Sequence, residues 1–145
     1  MAEHAEGSIE VDATPAEVLA VVADFEAYPE WVGNLEEVEV LAHDRRGRGT
    51  RVAFRLRTPM GDQAYTLAYR YQPGDAGVSW TYVEGTLEDL AGSYTLEPAG
   101  DGATLVTYRL EVALGVPLPG LLKRQAAKQI VRSALSDLKR RVESM

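Results

Sequence analysis

The side chains able to do chemistry in this chain are few and scattered. There are two histidines, His4 and His43, and no cysteine. That excludes disulfides, thiolate nucleophiles and cysteine metal sites. Two histidines alone argue against a histidine-rich metal centre. Serine and histidine form no recognisable nucleophile motif. Arg46-Gly47-Arg48-Gly49 has the glycines of a phosphate loop but lacks the flanking strand and helix. His43 reads as exposed at a hairpin end, and His4 as part of a flexible tail over residues 1–7. Glu84 and Lys123 are candidate mouth residues of a pocket, although charges in such places are ordinarily just solvated. These patterns assign no catalytic residue, no metal ligand and no cofactor.

Aromatics with polar tips are the exception. Along the middle of the chain, period-2 alternation points one set of side chains to a single sheet face. The set is Phe54, Leu56, Tyr65, Leu67, Tyr69, Trp80, Tyr82, Tyr94, Tyr108 and Leu110. Six of these ten carry a polar handle. A face built only to be filled favours Leu, Ile and Val. Buried tyrosine hydroxyls need partners, and a reachable cavity or its ligand supplies them. On the opposite phase, Arg70, Asp89, Arg109 and Glu111 face outward unless a bulge reverses one of them.

A short strand, Ser8 to Asp12, opens the fold. Thr14-Pro15-Ala16-Glu17 reads as a capping box that starts a helix, with Val18, Leu19, Val21 and Val22 as its buried face. A second short helix follows, where Phe25, Tyr28 and Trp31 both plug the core end and can form one lip of a pocket. Six strands come next, joined by hairpin-length turns, including one at Pro59-Met60-Gly61-Asp62, so neighbours run antiparallel. Glu37 and Glu39 set against Arg51, Arg55 and Arg57 require a connection of odd length near Asp44–Gly49.

The C-terminal stretch from Leu118 is one long amphipathic helix of roughly 37 Å. Ala127, Ile130, Val131, Ala134, Leu135, Leu138 and Val142 share its apolar face, with Pro117 and Pro119 at its start. Small residues in its first two-thirds leave space over the sheet, and large ones close the far end. The order of elements gives an α+β fold: a curved antiparallel sheet of about seven strands wrapped round one helix, with two short helices after the first strand. Composition suits a single soluble domain spanning 1–145, with 46% hydrophobic and 26% charged residues.

Net charge is -7, which argues against nucleic-acid binding. Residues 1–44 hold twelve acids and no Lys or Arg, whereas Lys123 to Arg141 hold seven of the fifteen basic residues. The simplest reading is an acidic layer balancing a basic helix face. No apolar run approaches a membrane span, and MAEHAEGSIEVDA has no signal-peptide pattern. A cytoplasmic protein, monomeric or weakly dimeric, is expected.

Asp12-Ala13-Thr14-Pro15-Ala16-Glu17-Val18, Tyr28-Pro29-Glu30-Trp31-Val32 and Pro117-Leu118-Pro119-Gly120-Leu121-Leu122 give the chain a resemblance to the START-like (SRPBCC, helix-grip) superfamily. It looks most like the actinobacterial polyketide cyclase/dehydrase and lipid-transport branch. The resemblance covers nearly the whole chain and implies a hydrophobic cavity between sheet and C-terminal helix; it transfers no catalytic residue. The expected ligand site adds Trp31, Leu122, Ala126, Ala127, Ile130 and Ala134 to the ten inward sheet residues. Three functions stand open: carriage of a small hydrophobic ligand (lipid, polyketide or isoprenoid), an aromatase/cyclase activity on a polyketide-like substrate, and protein binding through the acidic surface at Glu36, Glu37 and Glu39.

Overall fold

In the computed structural model, residues 2–58, 61–113 and 118–145 are described. The expected turn residues Pro59 and Met60, and Pro117 before the helix, lie outside them. Seven strands form one antiparallel sheet: β1 (Glu3–Val11), β2 (Leu35–His43), β3 (Gly49–Thr58), β4 (Gly61–Tyr71), β5 (Gly77–Gly85), β6 (Asp89–Pro98) and β7 (Thr104–Ala113). Their order across the sheet is β1-β7-β6-β5-β4-β3-β2. Helix α1 (Pro15–Val22) and a 3₁₀ turn (Phe25–Glu30) follow β1, and helix α2 (Gly120–Glu143) closes the chain.

Two local expectations are met, one by hydrogen bonds and one by strand register. Glu17 N donates to Thr14 Oγ1 at 3.2 Å and Thr14 N donates to Glu17 Oε1 at 2.9 Å, so α1 starts in a full capping box. Residues 44–48 connect β2 to β3, an odd number, and Glu37 stands opposite Arg55.

The flexible tail does not survive. β1 begins at Glu3, because Ala5, Gly7 and Ile9 turn inward while His4, Glu6 and Ser8 alternate outward against β7. Glu6 pairs with Arg109 and His4 with Glu111 across that ladder, so a charged, unpromising sequence is held by its neighbour. A Cβ on Gly7 would stand 3.0 Å from Val131 Cγ1. Glycine there lets α2 lie close against the sheet.

Helix α2 packs mainly on β1, and less on β7 and α1. Its buried residues are Ala127, Val131, Leu135, Leu138 and Val142. Ile130, expected on that face, is 40% exposed instead. The reason is placement: the helix packs mainly on β1 and less on β7, so the stripe carrying Ile130 is left only partly covered. Ala134 lies on the same stripe and packs partly against the core.

Candidate functional site

The aromatic side chains run as one connected series across the inner face. Trp31 meets Tyr28 at 5.0 Å between ring centroids, and Tyr28 meets Phe25 at 5.2 Å. Phe25 meets Tyr69 at 4.6 Å, and Tyr69 meets Trp80 at 5.8 Å. Trp80 then touches Tyr94 and Tyr108, each at 5.5 Å. Phe54 joins through Tyr28 at 6.2 Å and Phe25 at 6.3 Å, and Tyr65 joins through Phe54 at 5.7 Å. The 3₁₀ turn packs on β2 and supplies the first members, so the aromatics expected to plug the core end do so and also continue the sheet's row.

Gly92 makes this row possible. A Cβ there would stand 2.6 Å from the Trp80 ring, so only glycine leaves the indole room to lie across β6. The β5–β6 ladder is short, running only from Gly77 opposite Thr95 to Trp80 opposite Gly92. Beyond it the hairpin is held partly by Tyr82, whose hydroxyl donates to the Leu87 carbonyl at 2.8 Å.

The tyrosine hydroxyls divide into two groups. Tyr28 donates to the Val22 carbonyl, Tyr71 to the Gly49 carbonyl at 2.7 Å, and Tyr82 as described. Tyr65, Tyr69, Tyr94 and Tyr108 have no hydrogen-bond partner among the described residues. Yet no shielded side-chain nitrogen or oxygen among them is left unsatisfied. Both facts hold together because those four hydroxyls border space that a water-sized molecule reaches. Burial, the largest cause, pushes the phenols of Tyr28, Tyr65, Tyr69, Tyr94 and Tyr108 well above their usual range. Neighbouring phenols add to the rise for Tyr69 and Tyr108, and Asp137 adds to it for Tyr94.

All ten expected sheet residues, Phe54 through Leu110, occupy the inner phase of β3 to β7. Trp31 joins them from the chain after the 3₁₀ turn. On α2, Ile130 is exposed and Ala126 and Ala134 are partly buried, whereas Ala127 is wholly buried in the core and Leu122, in the first turn, is 47% exposed. Asp137, missed in the sequence, is the carboxylate of α2 that acts on a member of the aromatic row. Its only signal was the helical spacing from Ala134.

Charged groups lie elsewhere. From β3 to β7 the inner positions carry no charged side chain. Arg70 and Arg109 point outward as expected. A bulge opposite Thr66 and Leu67 puts Glu84 on the outer phase, away from any mouth. It lines an open groove of about 380 Å³ with Glu37, Glu39 and Arg55. A second outer groove, about 390 Å³, is flanked by His4, Glu6, Arg109 and Glu111. No cluster suited to a metal ion occurs among the described residues, and no helix among them is long and apolar enough to cross a membrane.

A family model described as "Polyketide cyclase / dehydrase and lipid transport" matches residues 2–143. Among solved structures, the chain is similar to a START superfamily protein from Mycobacterium smegmatis, with a TM-score of 0.88 and 22% identity over 97% of both chains. A protein from Thermus thermophilus gives 0.81 and 20% identity over 97% of both chains. An aromatase/cyclase from a Streptomyces species gives 0.76 and 14% identity, over 99% of this chain and 94% of that one. At these identities the likeness is one of fold. No curated protein matches the sequence at a significant level.

Proposed function

The chain belongs to the polyketide cyclase/dehydrase and lipid transport family, and from that premise we propose that it binds and carries a small hydrophobic molecule between the inner sheet face and α2. Lipids, polyketides and isoprenoids share the chemistry this face would take: an apolar body with a few hydrogen-bonding groups. The observation that carries the reading is the set of four tyrosine hydroxyls, Tyr65, Tyr69, Tyr94 and Tyr108, without hydrogen-bond partners among the described residues and beside reachable space. A bound ligand with a hydroxyl or carbonyl oxygen would satisfy them, and the aromatic row would cover its apolar body.

A cyclase reading requires an ionisable group beside the substrate. Along β3 to β7 the inner face offers only neutral phenols, and Asp137 at its margin is already held by Arg140 at 3.1 Å. Carriage therefore fits the residues better than catalysis. Native mass spectrometry of protein purified from its own host tests it, beside titration with a fluorescent fatty acid that quenches Trp80. A co-purifying apolar species, displaced by the probe with a change in tryptophan emission, is the expected result. A bare protein mass together with no probe binding overturns the reading.

A further inference from the structure

We propose that the N-terminal tip of α2 docks the protein onto anionic lipid bilayers. Residues 112–136 contain no acid in a protein of net charge -7, and within them lie Lys123, Arg124, Lys128 and Arg132. None of these four has an ion-pair partner among the described residues, whereas Lys139, Arg140 and Arg141 further along the helix are all paired. Beside the free cations stand Leu121 and Leu122, 59% and 47% exposed. Ile130, two turns on, is also exposed. Two solvated leucines within a turn of two unpaired cations form a surface with an apolar point and a basic collar.

That combination fits a bilayer interface better than an acidic protein. Leucines reach the headgroup–acyl boundary while Lys and Arg stay among lipid phosphates. Charge complementarity is local, because the acid-rich β2 edge and the ion-paired C-terminal turns of α2 offer an anionic membrane nothing. The tip also leaves the sheet at the end that carries the β3–β4 and β5–β6 hairpins, since β7 ends at Ala113 opposite Asp89. The surface stands on exposure and charge, independently of the carrier reading.

Sedimentation with vesicles tests this. Phosphatidylcholine vesicles, and the same vesicles containing phosphatidylglycerol, are mixed with the full chain at low and physiological salt. Binding is expected to the anionic vesicles only, weakening as salt rises. Lys123→Glu with Arg124→Glu should lower the partition coefficient by ~tenfold or more. Leu121→Ser with Leu122→Ser should do likewise, with unchanged circular dichroism because both side chains are exposed. Arg45→Glu with Arg46→Glu makes an equal charge change in the β2–β3 loop at the opposite end of the sheet and should leave binding intact. Failure to pellet with anionic vesicles at low salt overturns the proposal, as does equal loss in the loop variant, which would mean unlocalised attraction. A tip that instead covers a second copy of the chain appears as a concentration-dependent doubling of mass, abolished by the leucine variant, with no vesicle binding.

Discussion

The two halves of α2 are built for different tasks. From Leu135 onward the helix buries Leu135, Leu138 and Val142, and each cation finds a carboxylate: Lys139 with Glu143 at 2.8 Å, Arg140 with Asp137 at 3.1 Å, Arg141 with Glu30 at 3.2 Å. Lys139 also donates to the Glu10 carbonyl, and Glu143 accepts from Asp12 N, so this half is laced to the end of β1. From Gly120 to Ala134 the cations have no ion-pair partner among the described residues, two leucines and an isoleucine are exposed, and the buried residues are only Ala127 and Val131. One amphipathic repeat thus holds the fold at one end and leaves an uncovered surface at the other. Helical periodicity is the same throughout; what changes is how much of each half is buried and paired.

The largest effect that tests this contrast is truncation. Leu138 is fully buried, so Leu138→Ala removes its apolar contacts and leaves a cavity. A loss of about 2–5 kcal/mol is expected from chemical denaturation. Ile130→Ala, the same kind of deletion on the other half, should cost under about 0.5 kcal/mol because the side chain is exposed. Equal losses would mean that the two halves are packed alike.

Next comes alkaline pH, which reads the sheet that α2 leaves uncovered. The five phenols of Tyr28, Tyr65, Tyr69, Tyr94 and Tyr108 are raised by burial above the ordinary value of 10.0. Below that pH the tyrosines are protonated in both states and stability is whole. Above it the unfolded chain releases protons that the folded chain retains, so stability falls steadily with rising pH. Tyr71, pushed up to about 12 and only half-buried, should ionise within the native fold. Phenolate absorbance should therefore rise in two stages, the second coincident with loss of circular dichroism. A single early rise with the fold intact would show that the aromatic row is freely hydrated.

Much of this architecture was legible in the sequence, for a physical reason. Strand alternation is local, so all ten inward sheet residues from Phe54 to Leu110 could be placed by parity. The capping box at Thr14 is local too. Long-range facts were not legible. Residues 3–7 look like a polar tail, and only their pairing with β7 makes them a strand. Ile130 satisfies the helical repeat, yet its exposure depends on where α2 packs. Glu84 was misread because a bulge opposite Thr66 reverses the parity. The balance of acids and bases was seen, but not that it reaches only the second half of the helix.

Ala134→Leu sharpens the boundary between the halves, with an effect of either sign. Ala134 sits one turn from both Ile130 and Leu138 and is partly buried against the core. If the space beyond it is a ligand cavity, three added carbons fill part of it. Thermal stability then holds or rises slightly while binding of a fluorescent fatty acid weakens. If aromatics already fill that space, the same change overpacks and costs ~1–3 kcal/mol. A clear drop in Tm with unchanged probe binding would remove the carrier reading at its root.

A smaller effect again is expected at the ion pair between Arg141 and Glu30, the link from α2 to the 3₁₀ turn. Its nitrogen–oxygen distance is 3.2 Å, but the Glu30 side chain is 64% exposed. Exposed pairs contribute about 0.2–1 kcal/mol and weaken with salt. Glu30→Gln should therefore lower stability by no more than that, with the loss vanishing at high salt. Lys123→Gln, which removes a cation with no ion-pair partner among the described residues, should change stability by less still and without salt dependence. The pair matters more for position than for energy, because it fixes the turn that carries Tyr28 and precedes Trp31. In Glu30→Gln the emission of Trp31 should broaden or shift while Trp80, buried under Tyr94 and Tyr108, stays unchanged. Resolving the two in Trp31→Phe and Trp80→Phe backgrounds checks this, and a shift confined to Trp80 would show that the link acts on the core and not on the edge of the aromatic row.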